Sequence, residues 1–118
     1  MRRKLHDSKA YLFDMLESAR KVAEYTRGIS FEDFWESSST RDAVALRLAM
    51  IGEAANGVDA KTEKLLNLIP FAEIRGLRNR IVHDYGAIDF RAVWKISKDN
   101  IIPLIAVLEA HLEKSRTK

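Results

Sequence analysis

Between Ser39 and Asn56 the chain carries two apolar stripes at helical spacing. Val44, Leu48, Ile51 and Ala55 form one; Ala43, Leu46, Met50 and Ala54 form the other. A helix with one apolar stripe needs one packing partner, but a helix with two must be covered from two sides. In a chain of 118 residues, which holds one core, the second cover is either another helix of the same bundle or a second subunit. Periodicity leaves both open. No segment shows the alternation or the β-branched runs of a strand. The expected fold is therefore all-α, a single domain over residues 1–118 with four main helices in a bundle.

The other helices follow from the same periodicity. Leu5, Leu12, Met15, Leu16, Ala19, Val22 and Ala23 predict a first helix from about Lys4 to Arg27, with Gly28 as its stop. Ser30 to Asp33 has the form of a capping box and predicts a single turn containing Phe34 and Trp35. Ser39 with Asp42 offers the cap of the doubly striped helix, which Asn56-Gly57 ends. Val58 to Thr62 is the loosest stretch, and a short helical segment is expected at about Glu63 to Leu68. Pro70 suits the first position of the next helix, where Phe71, Ile74, Leu77 and Ile81 keep the spacing until Gly86 closes it. Asp89 caps the last helix, whose stripe runs from Phe90, Val93 and Trp94 to Leu108 and Leu112; Pro103 predicts a kink one turn earlier.

Composition removes several kinds of function. Without cysteine there is no disulfide, thiolate metal site or cysteine nucleophile. The histidines, His6, His83 and His111, are too far apart for a metal-ligand pattern, so no metal and no cofactor is expected. No apolar run approaches the ~20 residues that span a bilayer, and Met-Arg-Arg-Lys leads into polar sequence, which predicts a cytoplasmic protein without a membrane partner. A net charge of +3 permits a nucleic-acid partner without demanding one, because Arg2, Arg3, Lys4, Lys114, Arg116 and Lys118 supply part of it from solvated ends. His6 and His111, near those ends, are expected to face solvent.

The chemistry concentrates in Arg78-Asn-Arg-Ile-Val-His-Asp-Tyr85. A histidine, with its ordinary pKa near neutrality, can move a proton at the 2′-hydroxyl or the leaving 5′-oxygen of RNA. An arginine offers a planar fork that fits a phosphate and its more charged transition state. Asn79 can orient His83 or bind phosphate oxygens. On one regular helix Asn79 and His83 share a face, but Arg78 and His83, five apart, stand about 140° apart around the axis. Either the helix distorts before Gly86, or a second copy completes the site. Structural roles would explain the same residues: Arg78 and Arg80 paired with Glu73 or Asp84, His83 a buffer between helix and turn, and Tyr85 packed on Trp94. Glu53, a carboxylate on the doubly apolar helix, is costly there unless paired, and is expected to reach toward the arginines.

The segment resembles the R-x-x-x-x-H-x-Y motif of the HEPN superfamily, and specifically of HepT-like toxins, with Arg78, His83 and Tyr85 on its named positions and Asn79 on the polar one after the arginine. Ile51-Gly-Glu-Ala-Ala55, Ile69-Pro-Phe71 and Asp89 to Trp94 resemble further family segments, so the likeness runs from about Arg41 onward. It implies a four-to-five-helix bundle that dimerises with a composite cleft on the two-fold axis. It also implies metal-independent cleavage of RNA by Arg78 and His83; Asn79, Arg80 and Glu53 are expected to support them. A minimal nucleotidyltransferase antitoxin would silence the toxin by transferring AMP to Tyr85. Two positions depart from the pattern: Phe71 replaces a tryptophan, and Asp84 puts a negative charge where glycine is common. The alternative is a non-catalytic helical module that presents a nucleotide or substrate to a nucleotidyltransferase.

Overall fold

The doubly striped segment is the centre of the molecule. In the computed structural model, which describes residues 8–116, it forms α3 (Ser38–Ala55) and packs against both α1 (Ser8–Thr26) and α5 (Phe71–His83). Helix α7 (Ile101–Arg116) lies against α1 and closes the bundle, while α2 (Phe31–Glu36), α4 (Ala60–Leu65) and α6 (Phe90–Asp99) are shorter. Among the described residues all regular structure is helical, as expected, and no helix is long and apolar enough to cross a membrane. The expected start of the first helix, with Lys4, Leu5 and His6, lies outside the described residues. So do the basic Arg2, Arg3 and Lys118 and the side chain of Arg116.

Helix α1 buries Leu12, Met15, Leu16, Ala19 and Val22 and ends at Thr26; Gly28 follows at φ 74°, the left-handed conformation a glycine enters without cost. Ser30 and Asp33 make the expected capping box on α2. The cap of α3 is Ser37, not the expected Ser39 with Asp42: Ser37 Oγ accepts the Thr40 N–H at 3.2 Å. The chain after α3 is also tighter than its composition suggests. Val58 is buried, Asp59 accepts the Thr62 N–H at 2.8 Å, and α4 therefore starts at Ala60 and ends at Leu65, short of the expected Glu63–Leu68. The hydrogen bond from the Thr62 N–H, with one from the Thr62 side chain, holds the Asp59 carboxyl below its ordinary pKa.

Pro70 sits just before α5 as its N-cap instead of opening it. The last helix is broken outright and not merely kinked. Asn100 separates α6 from α7, and Pro103 becomes the third residue of α7, where its missing N–H would have had no intrahelical partner. Helix α7 buries Ile101, Leu104, Leu108 and Leu112; His111, expected in solvent, is half-buried on the same helix.

One arc of α3 is covered and the other is not. Val44, Leu48, Ile51 and Ala55 are at most 3% exposed, whereas Leu46 is 59% and Met50 42% exposed. Within one chain, α1 and α5 therefore satisfy the first stripe, with Ala54 from the second, and leave two large side chains facing outward.

Candidate active site

Helix α5 is regular up to His83. Asp84 then leaves helical geometry (φ −145°, ψ 46°) while its N–H still bonds Arg80 O at 2.9 Å. A 3₁₀ turn, Tyr85–Ala87, follows, so the helix closes at His83 and not at Gly86. One alternative is decided by this: Arg78 and His83 stay on one undistorted helix, on faces about 140° apart.

Arg78 faces α3. The close approach of α5 depends on Gly52, where an added Cβ would lie 2.3 Å from Arg78 Cβ and 2.9 Å from the Ile74 carbonyl oxygen. Arg78 Nη2 meets Glu53 Oε1 at 2.8 Å, and Nη1 donates to Asn79 Oδ1 at 3.0 Å. The carboxylate of Glu53 thus reaches a motif arginine, as expected, and Arg78 pairs with it in place of Glu73 or Asp84. Arg78 Nε is buried with no hydrogen-bond partner among the described residues. Asn79 orients Arg78 and not His83. Arg80 lies exposed on the outer side of α5, and His83 is exposed at its end with no side-chain hydrogen bond among the described residues.

Tyr85 stands on the 3₁₀ turn, 47% exposed. Its ring meets Phe90 edge-on at 6.1 Å, not Trp94. Its hydroxyl donates to Asp42 Oδ1 on α3, 43 residues earlier in the chain. That hydrogen bond is the main reason the phenol is held above its ordinary pKa, with desolvation and the Asp42 charge adding to it and Arg41 opposing. Asp42 is the site residue that sequence reasoning missed. Nothing in local spacing pairs it with Tyr85, and beside Ser39 it reads as part of a cap. Arg41 beside it lies over the rings of Trp35 (4.9 Å) and Phe90 (5.5 Å) and donates to the Trp35 carbonyl.

A separate cavity of about 430 Å³ lies between α5 and the α6–α7 corner, lined by Ile74, Leu77, Ile96, Leu104 and Val107 among others. Its lining holds no titratable side chain.

A family model described as "Ribonuclease HepT-like" matches residues 15–111. A candidate RNase of Methanocaldococcus jannaschii is 38% identical over 80% of this chain and 87% of its own length. A probable ribonuclease HepT of Thermococcus cleftensis is 37% identical over 79% of this chain and 84% of its own. A candidate RNase of Caldanaerobacter subterraneus is 28% identical over 92% and 96%, respectively. No solved structure matches the chain.

Proposed function

The chain belongs to the HepT-like ribonuclease family, and on that premise we propose that it is an endoribonuclease toxin whose site is shared between two copies. One observation carries the reading. Arg78 is fixed toward α3 by Glu53 and Asn79, whereas His83, on the same regular helix, projects from another face into solvent. The two side chains thus leave α5 on different faces, which supports a proton carrier supplied to the Arg78-held phosphodiester by a second copy.

The uncovered arc of α3 suits such a pairing. Leu46, Met50 and Glu53 follow one another at helical spacing on α3, and Arg78 and Val82 do so on α5. Leu46, Met50 and Val82 are 59%, 42% and 50% exposed, so large apolar side chains stand on the helices that carry the Glu53–Arg78 pair. A two-fold axis through this face would bury them and bring the helix ends together.

The chemistry is that of RNA's own nucleophile. The 2′-hydroxyl attacks the adjacent phosphorus, His83 moves a proton at that hydroxyl or at the departing 5′-oxygen, and Arg78 stabilises the charge on the phosphoryl oxygens. Glu53 and Asn79 hold Arg78 in place, Arg80 adds positive charge nearby, and no step calls on a metal or cofactor. Tyr85, exposed and just past the helix, is open to adenylylation by a nucleotidyltransferase antitoxin, and a nucleotide there would stand two residues from His83.

Purified chain incubated with RNA tests the activity. The expected result is cleavage that survives a chelator and is lost in both Arg78→Ala and His83→Ala. RNA left intact at every protein concentration, with tight binding to the nucleotidyltransferase or ATP, would favour a non-catalytic partner module instead.

A further inference from the structure

The Tyr85–Asp42 hydrogen bond has a chemical consequence of its own. Ser37 caps α3, so Asp42, inside the helix, is not needed for capping, and its carboxylate is spent on the tyrosine hydroxyl. The edge-on contact with Phe90 fixes the ring, and about half of the Tyr85 surface stays open to an incoming group. A phenol in this setting is neutral at pH 7 and a weak nucleophile unless its proton has somewhere to go.

We propose that Asp42 is the catalytic base for adenylyl transfer to Tyr85, accepting the phenolic proton as Tyr85 Oη attacks the α-phosphorus of ATP. The proposal rests on the reading of Tyr85 as the modification site. The Oη–phosphorus bond forms while the bond from that phosphorus to the bridging oxygen breaks. Pyrophosphate leaves with the bonding pair, and the proton passes from Tyr85 to Asp42 and then to water. An aspartate is too weak a base to ionise a resting phenol. As the new bond forms, however, the phenolic oxygen loses electron density and its proton becomes strongly acidic, so a carboxylate already in hydrogen-bond contact takes it without rearrangement. The charged groups acting on the hydroxyl, Asp42 and Arg41, both come from α3, and the packed face of α6 offers the apolar ring of Phe90. After transfer the hydroxyl donor is gone and a phosphodiester anion stands beside the Asp42 carboxylate, so the product is pushed off the base that made it.

The test is adenylylation of the full chain by its partner nucleotidyltransferase with ATP, followed by intact mass across pH. Asp42→Asn is nearly isosteric and keeps an oxygen acceptor, but it is not a base. At pH 7 it is expected to be modified about 100-fold more slowly than wild type, with an unchanged melting temperature. Because only the rare phenolate then attacks, the wild-type-to-variant rate ratio should fall about tenfold for each pH unit toward the phenol's pKa. A variant modified at the wild-type rate overturns the proposal and leaves Tyr85 as the site. So does a slow variant whose ratio is constant with pH, which would make Asp42 only an anchor for the turn. No added mass on wild type, or equal mass on Tyr85→Phe, overturns the modification site and the proposal with it.

Discussion

Arg78 and His83 sit five residues apart on one helix, yet their surroundings are opposite. The arginine lies over a glycine, its side chain one-quarter exposed, with one carboxylate and one amide oxygen on its guanidinium. The histidine projects from the last turn with its surface open. Packing in a single chain thus organises the proposed anion-binding group and leaves the proposed proton-transfer group unorganised. Arginine needs orientation more, because its value is a fixed fork aimed at a phosphate. In the proposed two-copy site the histidine's partner surface comes from elsewhere, and a second copy seated on the exposed Leu46, Met50 and Val82 would gain by burying them.

The sharpest way to break this comparison is complementation. His83→Ala should lower RNA cleavage by about 10²–10⁴-fold with no change in melting temperature. Arg78→Ala should lose activity on a similar scale, and should also cost about 1 kcal/mol of stability from the packed stem of the side chain. If the site is shared, mixing the two inactive variants creates heterodimers with one intact site each. Random pairing then restores about a quarter of wild-type activity. If both residues come from one chain, the mixture stays as inactive as its components, and the two-copy site is wrong.

The next effect in size belongs to Gly52. Glycine to alanine inside a helix ordinarily adds about 1 kcal/mol by propensity. Here the new methyl would meet Arg78 Cβ at 2.3 Å and a backbone oxygen at 2.9 Å, neither of which is the end of a flexible side chain. Overpacking of this kind costs about 1–3 kcal/mol. Gly52→Ala should therefore destabilise the chain in denaturant and misplace Arg78, so that activity falls further than that of an equally destabilised variant elsewhere. A more stable protein with full activity would show that the α3–α5 approach does not set the arginine.

The sequence makes the long helices legible because their apolar residues recur at helical spacing, and both strong glycine and aspartate signals, Gly28 and Asp89, act where they stand. It misplaces boundaries where side chains compete for the same backbone groups. Ser37 and Ser39 are both acceptable caps, and only the geometry selects Ser37. Asp84 ends α5 before the glycine that was expected to. The Glu53–Arg78 pair was readable from electrostatic need alone, because a carboxylate on a mostly apolar helix requires a partner. Asp42 was not readable. An aspartate near a helix start has an ordinary local role, and its contact with Tyr85 exists only once α3 and the 3₁₀ turn are brought together.

The smallest effect is in the pH dependence of stability, and it tests the exposed end of the comparison. In the folded chain the Tyr85 phenol holds its proton to higher pH than in the unfolded chain, because its hydroxyl donates to Asp42. The unfolded state, with an ordinary pKa of about 10, therefore loses the proton first. The folded state binds more protons in that interval, so stability falls as pH rises through it. The contribution is fully present below about pH 10 and is lost as pH climbs through the folded value. Wild type should then lose stability faster than Tyr85→Phe in urea titrations above about pH 10, while the two run parallel near neutrality. Asp42→Asn, which removes the charge but keeps an acceptor, should fall between them. Parallel curves for all three would mean that the hydroxyl is solvated in solution and that the end of α5 is as unorganised at Tyr85 as it is at His83.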